Sequence, residues 1–266
     1  MSRSSRASNA AQALAVLAVV TSTLFFALPL LGLLWRAPWA RLGAELRTPE
    51  VRMALTLSLQ CSFAAAALSC ALGLPLAAWL ARGAGPLRSL VRVLVTLPMV
   101  LPPVVGGVAL LLAYGRNGLV GRVLESAFGV SLPFTTAGVV LAATYVALPF
   151  FVLTVEGGLR SFDRRFADAA ATLGASPWRV FRTVTLPMIA PSLYAGLVVA
   201  WARALGEFGA TITFAGNLAG ATRTLPLAVY VALETRPDAA IALSLVLVAL
   251  SAVLLYALRR RWFPLR

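Results

Sequence analysis

The 266-residue chain has no histidine, no lysine, two cysteines and only nine acidic residues. Each shortage excludes a class of chemistry. Without histidine there is no imidazole to act as general base or metal ligand. Without lysine there is no phosphate-loop lysine, so the chain cannot by itself be an ATPase of that type. Cys61 and Cys70 stand nine positions apart in one apolar run. On a helix that spacing is about 900°, which puts them on opposite faces. Neither a disulfide nor a metal pair is expected, and both read as small packing residues. No metal, no cofactor and no catalytic residue is expected, and the chain is not read as an enzyme.

Apolar residues are abundant. They make up 60% of the chain, and the mean hydropathy is +0.89, which places it among integral membrane proteins. Uncharged runs of the roughly 20 residues needed to cross a bilayer occur at 11–35, 53–81, 93–115, 135–155, 183–202 and 239–258. The first follows Arg3 and Arg6 but is too long for a signal peptide's apolar core. No small-residue cleavage site precedes Arg36, so a retained span is expected. Residues 208–234 are broken by Gly209, Gly216, Gly220, Arg223 and Pro226. A re-entrant or external loop suits them better than a seventh span, because irregular backbone at membrane depth needs protein or a water-filled cavity around it.

All 23 basic residues are arginine, and the net charge is +14. With six spans and both termini cytoplasmic, the inner side would hold arginines 3, 6, 82, 88, 92, 160, 164, 165, 179, 182, 259, 260, 261 and 266. The outer side would hold only 36, 41, 47, 52, 116, 122, 223 and 236. That bias obeys the positive-inside rule, and a seventh span would put residues 259–261 outside against it. The arginines mark the boundary with anionic lipid heads. No basic, aromatic-studded surface reads as nucleic-acid binding.

Polar or helix-breaking residues in apolar company mark two candidate sites. The run LPMVLPPVVGG, residues 97–107, contains Pro102, Pro103 and Gly106 within the third span. Proline removes a backbone donor and bends a helix, so the run is either a packing kink or a hinge lining a path. Pro149 has the same two readings. Arg203 and Glu207 are four apart, on one helical face. Intramembrane ionisable residues are functional candidates, although a structural ion pair at the membrane interface explains them slightly better. The second site is the cytoplasmic loop 156–182. Ser161 or Asp163 can cap a helix through ADAAATL, Gly174 suits its stop, and Ser176-Pro177 opens a second helix. Trp178, Val180, Phe181 and Val184 give that second piece an apolar surface.

Here the sequence resembles the permeases of bacterial ATP-binding cassette importers. Their signature is Glu-Ala-Ala, three residues, Gly, nine residues, Ile, one residue, Leu-Pro. This chain reads Asp168-Ala169-Ala170, Gly174, Val184, Leu186-Pro187 at the same spacing, with Asp for Glu and Val for Ile. The resemblance implies that the insert is a coupling helix that docks into a cleft on an ATPase subunit. The stretch WARALGEFGATITFAGNLAGATRTLPLAVY, residues 201–230, looks like the molybdate-type permeases of the molybdate, tungstate and sulfate group.

The resemblance further implies an all-α, polytopic fold of six transmembrane helices, like a type I importer permease, in a bacterial inner membrane. It implies a first span and external loop over 1–52, a permease core over 53–258 and a basic cytoplasmic tail over 259–266. The implied partners are two ATPase subunits, a periplasmic oxyanion-binding protein and a second copy of the chain. Molybdate is the expected substrate, with tungstate and sulfate or thiosulfate as alternatives. An ion-coupled secondary transporter is the alternative from another class. It would favour buried carboxylates and a repeat-related midplane site, to which only Glu207 comes near.

Overall fold

Small side chains decide how the long helices meet. The computed structural model describes residues 2–262, with side chains from 12 to 253 and that of residue 256. The side chains of Arg3, Arg6, Arg259, Arg260 and Arg261, and all of Arg266, lie outside the described residues. In chain order the helices are α1 (Ser2–Trp35), α2 (Leu42–Leu46), α3 (Pro49–Ala81), α4 (Pro86–Val100), α5 (Pro103–Tyr114), α6 (Gly121–Phe128) and α7 (Thr136–Ser161). They continue as α8 (Arg165–Thr172), α9 (Pro177–Val180), α10 (Leu186–Leu205), α11 (Gly209–Phe214), α12 (Leu225–Thr235) and α13 (Pro237–Trp262). There is no strand among the described residues.

Helices α3, α7 and α10 form the central bundle. Its core sets Ala65, Ala77 and Leu80 of α3 against Ala143, Ala147, Phe151 and Val155 of α7 and Ile189, Ala200 and Ala204 of α10. In lipid, apolar burial gives little drive for helices to associate, so close van der Waals packing at small residues takes its place. Gly73 shows how tight the fit is: a Cβ there would lie 2.5 Å from Phe151 Cδ1, and Phe151 is wholly buried. Cys61 is buried and Cys70 half-buried, and both are free thiols.

Four stretches are long and apolar enough to cross a membrane: Gln12–Trp35, Pro49–Ala81, Thr136–Ser161 and Pro177–Leu205. Two further crossings of the expected six are less regular. The third is α4 continued by α5, interrupted at Leu101 and Pro102, both in extended conformation with ψ of 137° and 133°. The sixth is α13, whose described apolar part is Pro237–Val253. The glycine-broken segment after α10 adds no seventh crossing. It forms the short helices α11 and α12, with α11 packed against α5 and α7 and α12 against α13 and α3.

One sequence-based boundary shifts. Helix α7 runs on through Ser161 and Glu156 is buried within it, so the polar insert starts at Phe162 rather than at 156. The cause is that Glu156 is neutralised in place by arginines and has no need to leave the helix. The second helix of the insert runs on into α10. α9 passes into α10 through a π-helical turn (Phe181–Thr185), where the Leu186 N–H donates to the Phe181 carbonyl five residues back. Pro187 has no N–H to offer, and its ring would clash with the carbonyl four residues earlier. The wider turn absorbs both effects without breaking the helix.

Candidate functional site

The insert between α7 and α10 is built from local capping. Asp163 Oδ1 accepts the Arg165 N–H at 3.0 Å and opens α8. Ser161 takes no part, because its hydroxyl donates to the Gly157 and Gly158 carbonyls inside α7. At the far end the Gly174 N–H bonds Ala171 O at 3.0 Å and the Ala175 N–H bonds Ala170 O at 3.1 Å, while Gly174 sits at φ +82°. A Cβ on Gly174 would meet nothing within 4 Å. The glycine is therefore required by the left-handed backbone and not by crowding. Ser176 Oγ then accepts the Arg179 N–H and Pro177 takes the first helical turn.

The result is a knob with an apolar crown. Leu173 is 88% exposed, Trp178 69% and Phe166 55%, and Trp178 stacks on Phe181 with centroids 5.8 Å apart. Asp168 and Ala169 are exposed and Ala170 is half-buried. Beneath lies a crevice of about 590 Å³ between the insert and the ends of α3 and α7, reached by Ala78, Arg82, Phe162, Asp168, Ala171 and Phe181. Leu186 and Pro187 stand apart from this crown, at the root of α10.

The second candidate site lies at the α4–α5 break. Pro102, Pro103, Gly106 and Arg203 line one cavity of about 110 Å³ together with Pro98, Met99, Tyr145 and Phe150. That space is large enough to admit a few waters. Prolines 102 and 103 have no N–H, so the carbonyls of Pro98 and Met99 lack their usual helical donors. Glu207 is one turn beyond Arg203 and is 3% exposed. Its Oε1 accepts the Ala210 N–H at 2.8 Å and caps α11. Arg203 Nη1 stands 2.9 Å from Oε2, close enough for an ion pair though off the line of a hydrogen bond.

The sequence left open a pair at the membrane interface. The pair sits beside the break, with Glu207 buried and Arg203 half-buried. α11 is held against the same break by missing side chains: a Cβ on Gly209 would lie 2.6 Å from Pro103 Cβ, and one on Gly107 would lie 2.9 Å from Ala210 O. All five residues singled out as a path, Pro102, Pro103, Gly106, Arg203 and Glu207, thus belong to one neighbourhood. Pro187 and Arg203 are 16 residues apart on α10, or about 24 Å at the helical rise.

Sequence reasoning missed a third cluster, at the insert end of the bundle. Glu156 of α7 is 4% exposed. It receives Arg92 of α4 at 2.6 Å and Arg160 of its own helix at 2.9 Å. Arg92 and Arg160 also reach the Leu80 carbonyl at the end of α3, and Arg164 reaches that of Ala81. The i, i+4 spacing of Glu156 and Arg160 at the close of an apolar run was the available signal.

Known proteins resemble this chain in sequence and in fold. The family described as "Binding-protein-dependent transport system inner membrane component" matches residues 73–263. The molybdenum transport system permease protein ModB of Mycobacterium tuberculosis is 48% identical over 245 residues, 92% of each chain. The sulfate transport system permease protein CysT of Escherichia coli is 35% identical over 221 residues, 83% of this chain and 79% of that one. Among solved structures, a bacterial ABC transporter involved in the import of the acidic polysaccharide alginate superposes with a TM-score of 0.73. It covers 96% of both chains at 18% identity, a likeness of fold.

Proposed function

The chain belongs to the family of binding-protein-dependent transport system inner membrane components, and from that premise we propose that it carries molybdate across the bacterial inner membrane as the permease subunit of an ATP-driven importer. The observation that carries the choice of anion is the 48% identity with a molybdenum permease over nearly the whole of both chains. Sulfate is the second reading, favoured by the 35% identity with a sulfate permease. Both are tetrahedral dianions, and a path that suits one has few means to refuse the other.

In this reading the insert faces the cytoplasm, as do both termini. The division is a first span and outer loop over 1–52, a core over 53–258 and a basic tail over 259–266. Two soluble ATPase subunits dock on the inserts of two copies of this chain, and a periplasmic binding protein delivers the anion to the opposite face. Exposed Phe166, Leu173 and Trp178 support the docking role, since a large apolar crown on a polar insert calls for a partner. Asp168, Ala169, Ala170 and Gly174 shape that crown, and Leu186 and Pro187 root it in α10. ATP hydrolysis falls to the partner, because this chain has no lysine to hold a nucleotide phosphate.

The cavity of Pro102, Pro103, Gly106 and Arg203 is the narrow point of the path. Arg203 offers a passing anion a cation already balanced by Glu207, so attraction stays weak. A path needs that, because tight binding would stall release.

The test is capture of the ATPase subunit by the tagged permease. Wild-type chain should retain it, and Trp178→Ala, which deletes a 69%-exposed aromatic, should lose most of it, as truncating a hot-spot tryptophan costs about 2 kcal/mol or more. Undiminished capture by both Trp178→Ala and Leu173→Ala would contradict docking on this face.

A further inference from the structure

Glu156 is a buried charge with more partners than any other among the described residues, yet it belongs neither to the docking crown nor to the path. Its carboxylate lies on α7, one turn before the chain leaves that helix for the insert. Arg92 comes to it from α4: Nη2 is 2.6 Å from Oε1 and Nε is 3.5 Å from Oε2. Arg160, on the insert side of Glu156, places Nε 2.9 Å from the same Oε1. Both guanidinium groups also donate to the Leu80 carbonyl, at 3.5 and 3.4 Å, one residue before α3 ends. Cations at a helix C-terminus are held by its unsatisfied carbonyls and dipole. One carboxylate and one carbonyl therefore join three helices.

The position of this joint gives it meaning. Outside this joint α4 packs on α7 and lays Val91 and Val95 against the central core, but none of its residues is buried, and its outer face exposes Leu87, Leu90, Val93, Leu94 and Leu97. After 15 residues the helix ends, at the extended Leu101. The same short helix is thus anchored at one end beside the insert and opens at the other into the central cavity. Arg88 adds a second grip, its guanidinium 5.3 Å above the Trp79 ring of α3.

We propose that the Arg92, Glu156 and Leu80 joint is the transmission link of the transporter. It makes α4 move with the insert-bearing end of α7, and so carries the insert's displacement to the Pro102 break. The proposal rests on the reading of the insert as the ATPase-coupling element. Arg92 and Glu156 are positioning residues and do not touch the transported anion. Arg160 is on the same helix as Glu156, so losing it leaves the bond between α4 and α7 in place. The two arginines are alike in charge and share their partners, but only one of them connects α4 to α7.

That difference supplies the test. The assembled transporter, with its ATPase subunits and binding protein, is reconstituted with Arg92→Gln, Arg92→Lys, Arg160→Gln or Gly174→Leu permease, and molybdate imported per ATP hydrolysed is measured per assembled complex. Arg92→Gln should lower that ratio by about tenfold, in the range of coupling between linked sites, with ATPase capture unchanged. Arg92→Lys should restore much of it, and Arg160→Gln should change it by less than about threefold.

A normal ratio in Arg92→Gln alongside a collapsed ratio in Gly174→Leu would overturn the joint and leave the insert's role standing. Normal ratios in both would overturn the reading of the insert. Equal losses from Arg92→Gln and Arg160→Gln would reduce the cluster to simple stabilisation and also count against the joint. Should Arg92→Gln not accumulate, Glu156→Asp gives the same reading by drawing the carboxylate back from α4 while keeping its charge.

Discussion

Gly107 and Gly43 make opposite demands on their surroundings. A Cβ on Gly107 would stand 2.6 Å from Thr213 Cβ and 2.9 Å from Ala210 O, so α5 and α11 meet there through a missing side chain. Around Gly43, in the short helix α2, nothing lies within 4 Å. Gly107→Ala should therefore destabilise the purified protein by about 1–3 kcal/mol, as overpacked sites do. Gly43→Ala should be neutral or gain up to about 1 kcal/mol from helix propensity. Thermal unfolding in detergent compares the two. Equal effects would mean that the α5–α11 approach is not close. At this scale the sequence was partly legible. Proline, glycine and the i, i+4 spacing of Arg203 and Glu207 marked the central neighbourhood, but which glycines were crowded and which only turned the chain depends on neighbours distant in sequence. Arg92 was unreadable for the same reason: its partner Glu156 is 64 residues away.

Among the elements, the insert was the most legible, because its geometry is local. Asp163, Gly174, Ser176 and Pro177 each act within a few residues, so capping rules sufficed for α8, the corner and α9. The boundary at 156 failed because hydropathy treats a glutamate as a reason to leave the membrane, whereas this one is paired by Arg92 and Arg160 inside α7. The π-helical turn before Pro187 also has no composition signal beyond the proline itself. Gly174→Leu tests the corner. A branched residue at φ +82° costs about 1–2 kcal/mol in the left-handed region, and with open space around the site that strain is the whole effect. The variant should reach the membrane in normal amount yet import molybdate at a small fraction of the wild-type rate. Undiminished import with normal ATPase capture would show that the angle between α8 and α9 is immaterial.

Across the whole molecule, the four long apolar helices were legible from hydropathy, and α4 with α5 and then α13 stand where the two further crossings were expected. The mutual arrangement was not legible: that α3, α7 and α10 form the centre, while α1 leaves Leu14, Val16, Leu17 and Phe25 uncovered, is a matter of packing. The central claim is that transport is driven by a partner's ATP hydrolysis and not by this chain or by an ion gradient. It is tested most directly by molybdate uptake into proteoliposomes assembled with and without each component. Permease, ATPase subunits and binding protein together should import molybdate when ATP is present on the insert side, and uptake should cease when ATP, the ATPase or the binding protein is left out. Sustained uptake by the chain alone under a proton or sodium gradient would contradict the account.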